Sequence, residues 1–362
     1  MPRQAQTTST SLNAARGSRT SAARGSLVAI LLSVILLASA AATASAQTEK
    51  DDKKPALTVQ PIGVTPFSGE RAYEHIKRLV ELGPRPAGSK ALALSRRYIL
   101  DQLPHGAKKD EWDEQTPLGK VKMVNIISEV RGETEDTIVL ASHYDTKLFK
   151  DFAFVGANDG GSSTGVLIEL ARALAASGEH RHFTYRFVFF DGEEASCREW
   201  DECGRPGAPD NTYGSRRYVA QLRAHNQLRH VRALILLDMI GYERLELGRD
   251  NMSTPWLVDV LWKAARETGY AKQFVEREEG VGGDDHEPFL LAGVPSVDLI
   301  QLSTYPHWHT PEDTLDKIAP FSLKAVGDVV LASLPRVEEK LKEGARTTGA
   351  RGQKVESQPT GP

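Results

Sequence analysis

The stretch Phe187–Ser196, FVFFDGEEAS, carries an apolar run straight into an aspartate, a glycine and two adjacent glutamates. An apolar run without alternation reads as a strand buried on both faces. Three carboxylates at the end of such a strand repel one another, and each costs free energy to desolvate. Something must compensate, and a metal cation is the first candidate. The rest of the chain has to supply the other ligands.

On either side of this stretch, strand and helix patterns alternate. VKMVNIISEV (Val121–Val130) and DTIVLASHYDT (Asp136–Thr146) are rich in β-branched residues, and VRALILLDMIG (Val231–Gly241) is almost continuously apolar. Gly69–Ser89 begins as an amphipathic helix broken at Gly83-Pro84, and helical period resumes over Lys90–Leu103. Helices are expected over Ser163–Ser177, over Asn211–His225 with Asn211 as cap, and over Pro255–Gly269 with Gly269 as the stop. A short helix (Glu287–Gly293), a short strand (Pro295–Ile300) and a last helix (Pro320–Leu341) follow. Strands separated by helices predict one domain, a three-layer α/β/α sandwich with a mixed, mostly parallel central sheet. In such sheets the chemistry gathers beyond the carboxyl ends of the strands.

The polar residues at those ends form a set. SHYDT supplies His143 and Asp145, GANDGGSSTG supplies Asp159, and FFDGEEA supplies Asp191, Glu193 and Glu194. LLDMIG supplies Asp238, GDDHEP supplies Asp284, Asp285 and His286, and STYPHWHTPEDT supplies His307, His309, Glu312 and Asp313. Each has an ordinary structural explanation by itself: a hydrogen-bonded histidine, an Asx turn, or acids at a helix start. The recurrence of metal-type donors at nearly every strand end is what those explanations do not predict. A catalytic zinc wants three His, Asp or Glu ligands and an open position, with a further carboxylate outside the ligand set to move protons. Adjacent glutamates on an irregular turn point in different directions, so Glu194 can hold a metal while Glu193 acts as base.

The N-terminal segment reads differently. Residues 1–26 carry Arg3, Arg16, Arg19 and Arg24 and no acid, and Leu27–Ala42 is apolar but short for a bilayer. Ala44–Ala46 resembles a small-residue cleavage site, so residues 1–46 read as a signal peptide and the protein as exported, to periplasm or medium. Without those four arginines the formal charge goes from −3 to −7. The mature chain has no basic stripe for nucleic acid and no further apolar run for stable membrane association. Residues 47–66 read as a linker, 67–343 as the domain, and 344–362 as a disordered tail rich in Gly, Thr, Pro and charge. Cys197 and Cys203, six apart in a polar loop, have a spacing that permits a disulfide.

SHYDT, GANDGGSSTG, FFDGEEA, LLDMIG and WHTPEDT, in this order from about Phe67 to Leu341, resemble the motifs of the zinc aminopeptidases of the M28 clan. Within the clan, HYDTKLF followed by FVGAND, the DDHEPFLLAGVP run and Trp308 before His309 resemble the glutaminyl-peptide cyclotransferases. The resemblance implies Asp159, Glu194 and His309 as zinc ligands and Glu193 as acid/base. It makes Asp238 and Asp284 carboxylates around the substrate amide, with Trp200 and Trp308 as pocket walls. The substrate implied is a peptide or protein N-terminus, whose glutamine closes to pyroglutamate with loss of ammonia at a single zinc. The alternative is an aminopeptidase with two zinc ions, the second on His143 and Asp238. The chain departs from the animal cyclases at Ser142 and Thr164, where they carry cysteines, and at Asp298, where they carry histidine. Cys197 and Cys203 lie in an insertion that those enzymes lack.

Overall fold

The computed structural model describes residues 66–104 and 106–355, with side chains through residue 344. The signal-peptide and linker readings fall outside the described residues, apart from Pro66. Two helices open the fold, α1 (Gly69–Glu81) and α2 (Lys90–Gln102). The Ser68 and Ser89 hydroxyls cap them by accepting the backbone N–H of Arg71 and Leu92. A hairpin follows, β1 (Lys108–Thr116) and β2 (Gly119–Val130), then β3 (Thr137–His143), α3 (Gly161–Ala176), β4 (Thr184–Phe190), α4 (Tyr213–Ala224) and β5 (Val231–Asp238). The remainder is β6 (Leu247–Asp250), α5 (Pro255–Glu267), β7 (Phe274–Glu279), α6 (Glu287–Leu291), β8 (Ser296–Ile300) and α7 (Pro320–Val355).

The main sheet has the order β1-β2-β4-β3-β5-β8. β4, β3, β5 and β8 run parallel, and β2 and β1 add antiparallel at one side. Alternate residues of the parallel strands serve two separate cores. Ile138, Leu140, Phe187, Phe189, Ile235 and Leu237 pack into the larger one with α1, α2, α3, α5 and α7. Val139, Ala141, Val188, Phe190, Leu234 and Leu236 pack into the smaller one with α4 and α6. The side-chain period of two therefore gives every strand residue a buried face, which is why these strands are apolar throughout. The expected sandwich is present. No helix among the described residues is long and apolar enough to cross a membrane.

Several local readings differ. β1 (KKDEWDEQT) shows no β-branched enrichment, yet it pairs along its whole length with β2, Lys108 opposite Ile127 through Thr116 opposite Gly119. Its outer edge is held by an Asp110–Arg217 ion pair at 2.7 Å and by the Arg217 guanidinium 4.7 Å from the Trp112 ring. β6 and β7 form a separate two-stranded parallel sheet that the pattern of apolar residues does not announce. Helix α4 is not capped by Asn211: Thr212 occupies the cap in the left-handed region (φ 47°), and the Asn211 amide donates to the Trp200 carbonyl at 3.3 Å. α7 extends through Val355, so residues 344–355 are helical where composition predicted disorder.

Candidate active site

The parallel strands end together beside one cavity of about 250 Å³, whose polar lining comes from β5 and from the loops after the strands. β4 ends at Phe190 and turns at Gly192, whose φ is +70°. The positive φ favours glycine there, and a Cβ at Gly192 would also press on the flexible end of Met123, 2.8 Å away. The turn presents Glu193 and Glu194. β3 ends at His143, β5 at Asp238, and Asp159 precedes the first turn of α3 through Gly160 (φ +72°). The loop after β8 returns Trp308 and His309. Met239 (φ 44°) and His309 (φ 54°) hold left-handed backbone conformations beside the cavity, a strain that non-glycine residues accept at sites where side-chain direction matters.

Asp159, Glu193, Glu194, Trp200, Asp238, Asp284, Trp308 and His309 all line this cavity. His143 lies beneath it, fully buried. Ligand atoms of Asp159, Glu194 and His309 lie within 4.8 Å of one another. His309 Nε2 is 3.4 Å from Asp159 Oδ2 and 3.5 Å from Glu194 Oε2. Asp159 Oδ2 and Glu194 Oε1 are buried and make no hydrogen bond within the protein. Two carboxylates and an imidazole converging with unpaired buried oxygens fit a borderline divalent cation such as zinc. His143, Asp159 and Asp238 form a second group of the same spread. There His143 Nε2 donates directly to Asp238 Oδ1 at 3.1 Å and lies 3.3 Å from Asp159 Oδ1.

The electrostatics follow from burial and neighbours. Burial alone would raise the Asp159 carboxyl, but the His143 and His309 imidazoles, 3.3 and 3.4 Å away, hold it well below its usual range. Burial would lower His309; Glu194 and Asp159 instead push it up to about 10. Burial raises Glu193 well above the ordinary carboxyl range, with the His143 charge opposing and Glu194, Asp284 and Asp285 adding to the rise. Asp238 is pushed up to about 7 by burial against the pull of His143. Two indoles flank the opening. Trp308 stacks on the His309 ring at 4.4 Å between centroids and remains 46% exposed.

Three supporting residues, Asp145, Lys147 and Asp313, stand in motifs of the sequence without an individual role assigned there. Asp313 accepts the backbone N–H groups of Asn158 and Asp159 at 2.8 and 3.0 Å and the Tyr305 hydroxyl at 2.7 Å, which fixes the turn carrying Asp159. Asp145 accepts the N–H groups of Glu193 and Glu194 at 3.2 and 3.4 Å. Lys147, buried, donates to the Ala195 carbonyl at 2.8 Å, with its ammonium 4.0 Å from Glu194 Oε2. Their motifs, HYDTK and PEDT, were visible, but backbone acceptors leave no sequence signature. Asp284, Asp285 and His286 do not cap α6 with their side chains. His307 packs between Tyr242 and Tyr305, away from the cavity lining.

A family model for peptidase family M28 matches residues 125–334. Glutaminyl-peptide cyclotransferase of Bos taurus is 32% identical over 277 residues, spanning 66% of this chain and 74% of that protein. The fold superposes on a glutaminyl cyclase from an Acidobacteriales bacterium with TM-score 0.71 and 34% identity, covering 78% of this chain and 98% of that one. A Zn-dependent exopeptidase from Parabacteroides distasonis gives 0.66 and 27%, covering 74% and 98%. The chain therefore belongs to peptidase family M28, and within it to the glutaminyl-peptide cyclotransferases.

Proposed function

We propose that this cavity converts the N-terminal glutamine of peptides or proteins to pyroglutamate, releasing ammonia. The observation that carries the reading is Glu193: a buried carboxyl that lines the cavity beside the Asp159–Glu194–His309 group without belonging to it. Zinc held by those three residues would supply a Lewis acid for the γ-carbonyl of the substrate. Glu193 accepts a proton from the α-amine as the nitrogen attacks the carbonyl carbon of the γ-amide, and returns it to the departing amide nitrogen as that C–N bond breaks. A carboxyl held above its usual range by burial suits both halves of this transfer, because it binds the proton and can give it back. Attack is intramolecular, so no activated water is needed and proximity does much of the work. Asp238 and Asp284, both lining the cavity, accept the amide N–H groups of the glutamine side chain. Trp200 and Trp308 wall the opening and keep water from the reacting atoms.

Aminopeptidase hydrolysis is the second reading, favoured by the second donor group on His143, Asp159 and Asp238. Against it, His143 Nε2 and Asp238 Oδ1 already pair directly at 3.1 Å, which suits a positioning role for the carboxylate. The same proposal places the enzyme outside the cytoplasm after cleavage before Gln47, which N-terminal sequencing of the exported chain would test. The deciding experiment offers the zinc-loaded protein a glutaminyl and a leucyl peptide together and follows both by mass spectrometry. Loss of ammonia from the first with the second intact is expected. Release of leucine, with two zinc ions per chain, would establish the aminopeptidase instead.

A further inference from the structure

Cys197 and Cys203 are joined in a disulfide that closes a seven-residue ring. The ring starts three residues after Glu194 and carries Trp200 and Asp201, both of which line the cavity. It has no regular secondary structure, and Arg198, Glu199, Asp201 and Glu202 have little to pack against. Its base is tied down at two points. The Cys197 N–H donates to Asp210 Oδ2 at 2.9 Å, and the Asn211 amide donates to the Trp200 carbonyl at 3.3 Å. Trp200 faces Gly283, next to Asp284; a Cβ on that glycine would lie 3.8 Å from the indole nitrogen. A tryptophan on an exposed, irregular loop would otherwise sample many positions. Ring closure, the two hydrogen bonds at its base and the exposed Arg198–Asp151 pair at 3.7 Å limit it to the cavity mouth.

We infer that the Cys197–Cys203 disulfide is a positioning element of the substrate pocket: it pre-orders Trp200 and Asp201 over the glutamine site. This rests on the cyclotransferase reading of the cavity. The ring contains none of the proton-transfer carboxylates and none of the proposed metal ligands, so opening it should weaken binding of substrate and transition state alike and leave the chemical step intact. Asp201 makes no ion pair among the described residues and adds a carboxylate to an already acidic mouth. The same ring therefore favours peptides whose second residue is basic over those in which it is acidic.

The test is the Cys197→Ser, Cys203→Ser double variant of the full zinc-loaded chain, assayed on a glutaminyl-lysyl and a glutaminyl-glutamyl peptide. KM for the lysyl peptide should rise about tenfold, the size expected when a loop must order on binding, with kcat within about twofold. The preference for lysyl over glutamyl should narrow. Trp200→Ala with the disulfide intact should show a similar rise, and opening the ring in that background should add little. Should the double variant fold poorly, treating the folded wild type with a phosphine reductant gives the same comparison. Binding is read separately by titrating the lysyl peptide into Glu193→Gln, with the ring closed and open. Equal affinity in the two forms would overturn the inference. Absence of pyroglutamate from the wild type would overturn the cyclotransferase reading, and the titration would still report on the ring.

Discussion

Two buried acidic groups meet at the cavity, and they balance their charge differently. Around Asp159 and Glu194, two histidines approach the carboxylates within 3.5 Å, and Asp159 is held below its usual range. Reaching back from the cavity wall, Asp284, Asp298 and Asp250 gather around a single histidine, His286, at 3.4 Å from Asp250 Oδ2 and 3.9 Å from Asp298 Oδ2, with Asp285 beside them. There, burial and then the Asp284, Asp250 and Asp238 charges push Asp298 well above the carboxyl range, and Asp285 rises likewise through burial and the Asp284 charge. In the first group Asp159 stays ionised and the converging donors suit a cation. In the second, Asp284, Asp285 and Asp298 are pushed toward the protonated form, while His286 and Ser253 hold Asp250 below its usual range. Glu193 and Asp238 lie where the two meet, and burial raises both above the ordinary carboxyl range, as the proposed proton transfer requires.

The comparison can be broken at several points. Glu193→Gln removes the proton carrier and should lower kcat by about 10²–10⁴ while the metal content, measured by elemental analysis, stays the same. Normal turnover in this variant would sink the acid/base assignment. Asp159→Asn should abolish tight zinc binding. Asp313→Asn, which touches only the backbone of the Asp159 turn and Tyr305, should cost about 10–100-fold in zinc affinity, as loss of an orienting partner does; an unchanged affinity would show that the turn holds itself.

The proton held by His309, pushed up to about 10 in the absence of a metal, must leave before zinc binds. Zinc affinity should then rise about tenfold per pH unit below that value, as competitive chelation over a pH series would report. A flat profile would contradict the charge balance drawn for the first group. Asp298→Asn should have the smallest effect. Its folded carboxyl titrates above its unfolded value, so its contribution to stability is complete below the unfolded range and is lost as pH rises toward the folded pKa. The asparagine variant should therefore show a Tm near wild type in mild acid and a shallower fall of Tm between about pH 5 and 8. A steep loss of stability at every pH would mean that Asp298 is ionised and needed as such.

The parts of the fold that were readable are those buried on both faces. β3, β4 and β5 are apolar throughout because two cores claim alternate residues, and their ends were legible because acids following such strands have few structural explanations. β1 was missed because an edge strand with polar alternation is stabilised by its partner's hydrogen bonds, not by its own composition. The helix beyond Leu341 was missed because glycine and threonine outweighed the helix formers in a composition count. At the site, the donor types that converge on the cavity were visible in FFDGEEA and WHTPEDT. Asp145, Asp313 and Lys147 were visible only as letters, since what they hold is backbone.

The sequence by itself determined which chemistry the chain can attempt: the donor types, their order along the strands, and a glutamate pair separable by a glycine turn. These are local properties, set by residue identity and by the period of the strands. Only the tertiary structure decided which donors converge, that His143 pairs with Asp238, that His309 adopts a left-handed backbone, and that a disulfide loop reaches the cavity mouth. Those outcomes depend on where parallel strands from distant parts of the chain come to lie, and that is settled by the packing of two cores against one twisted sheet.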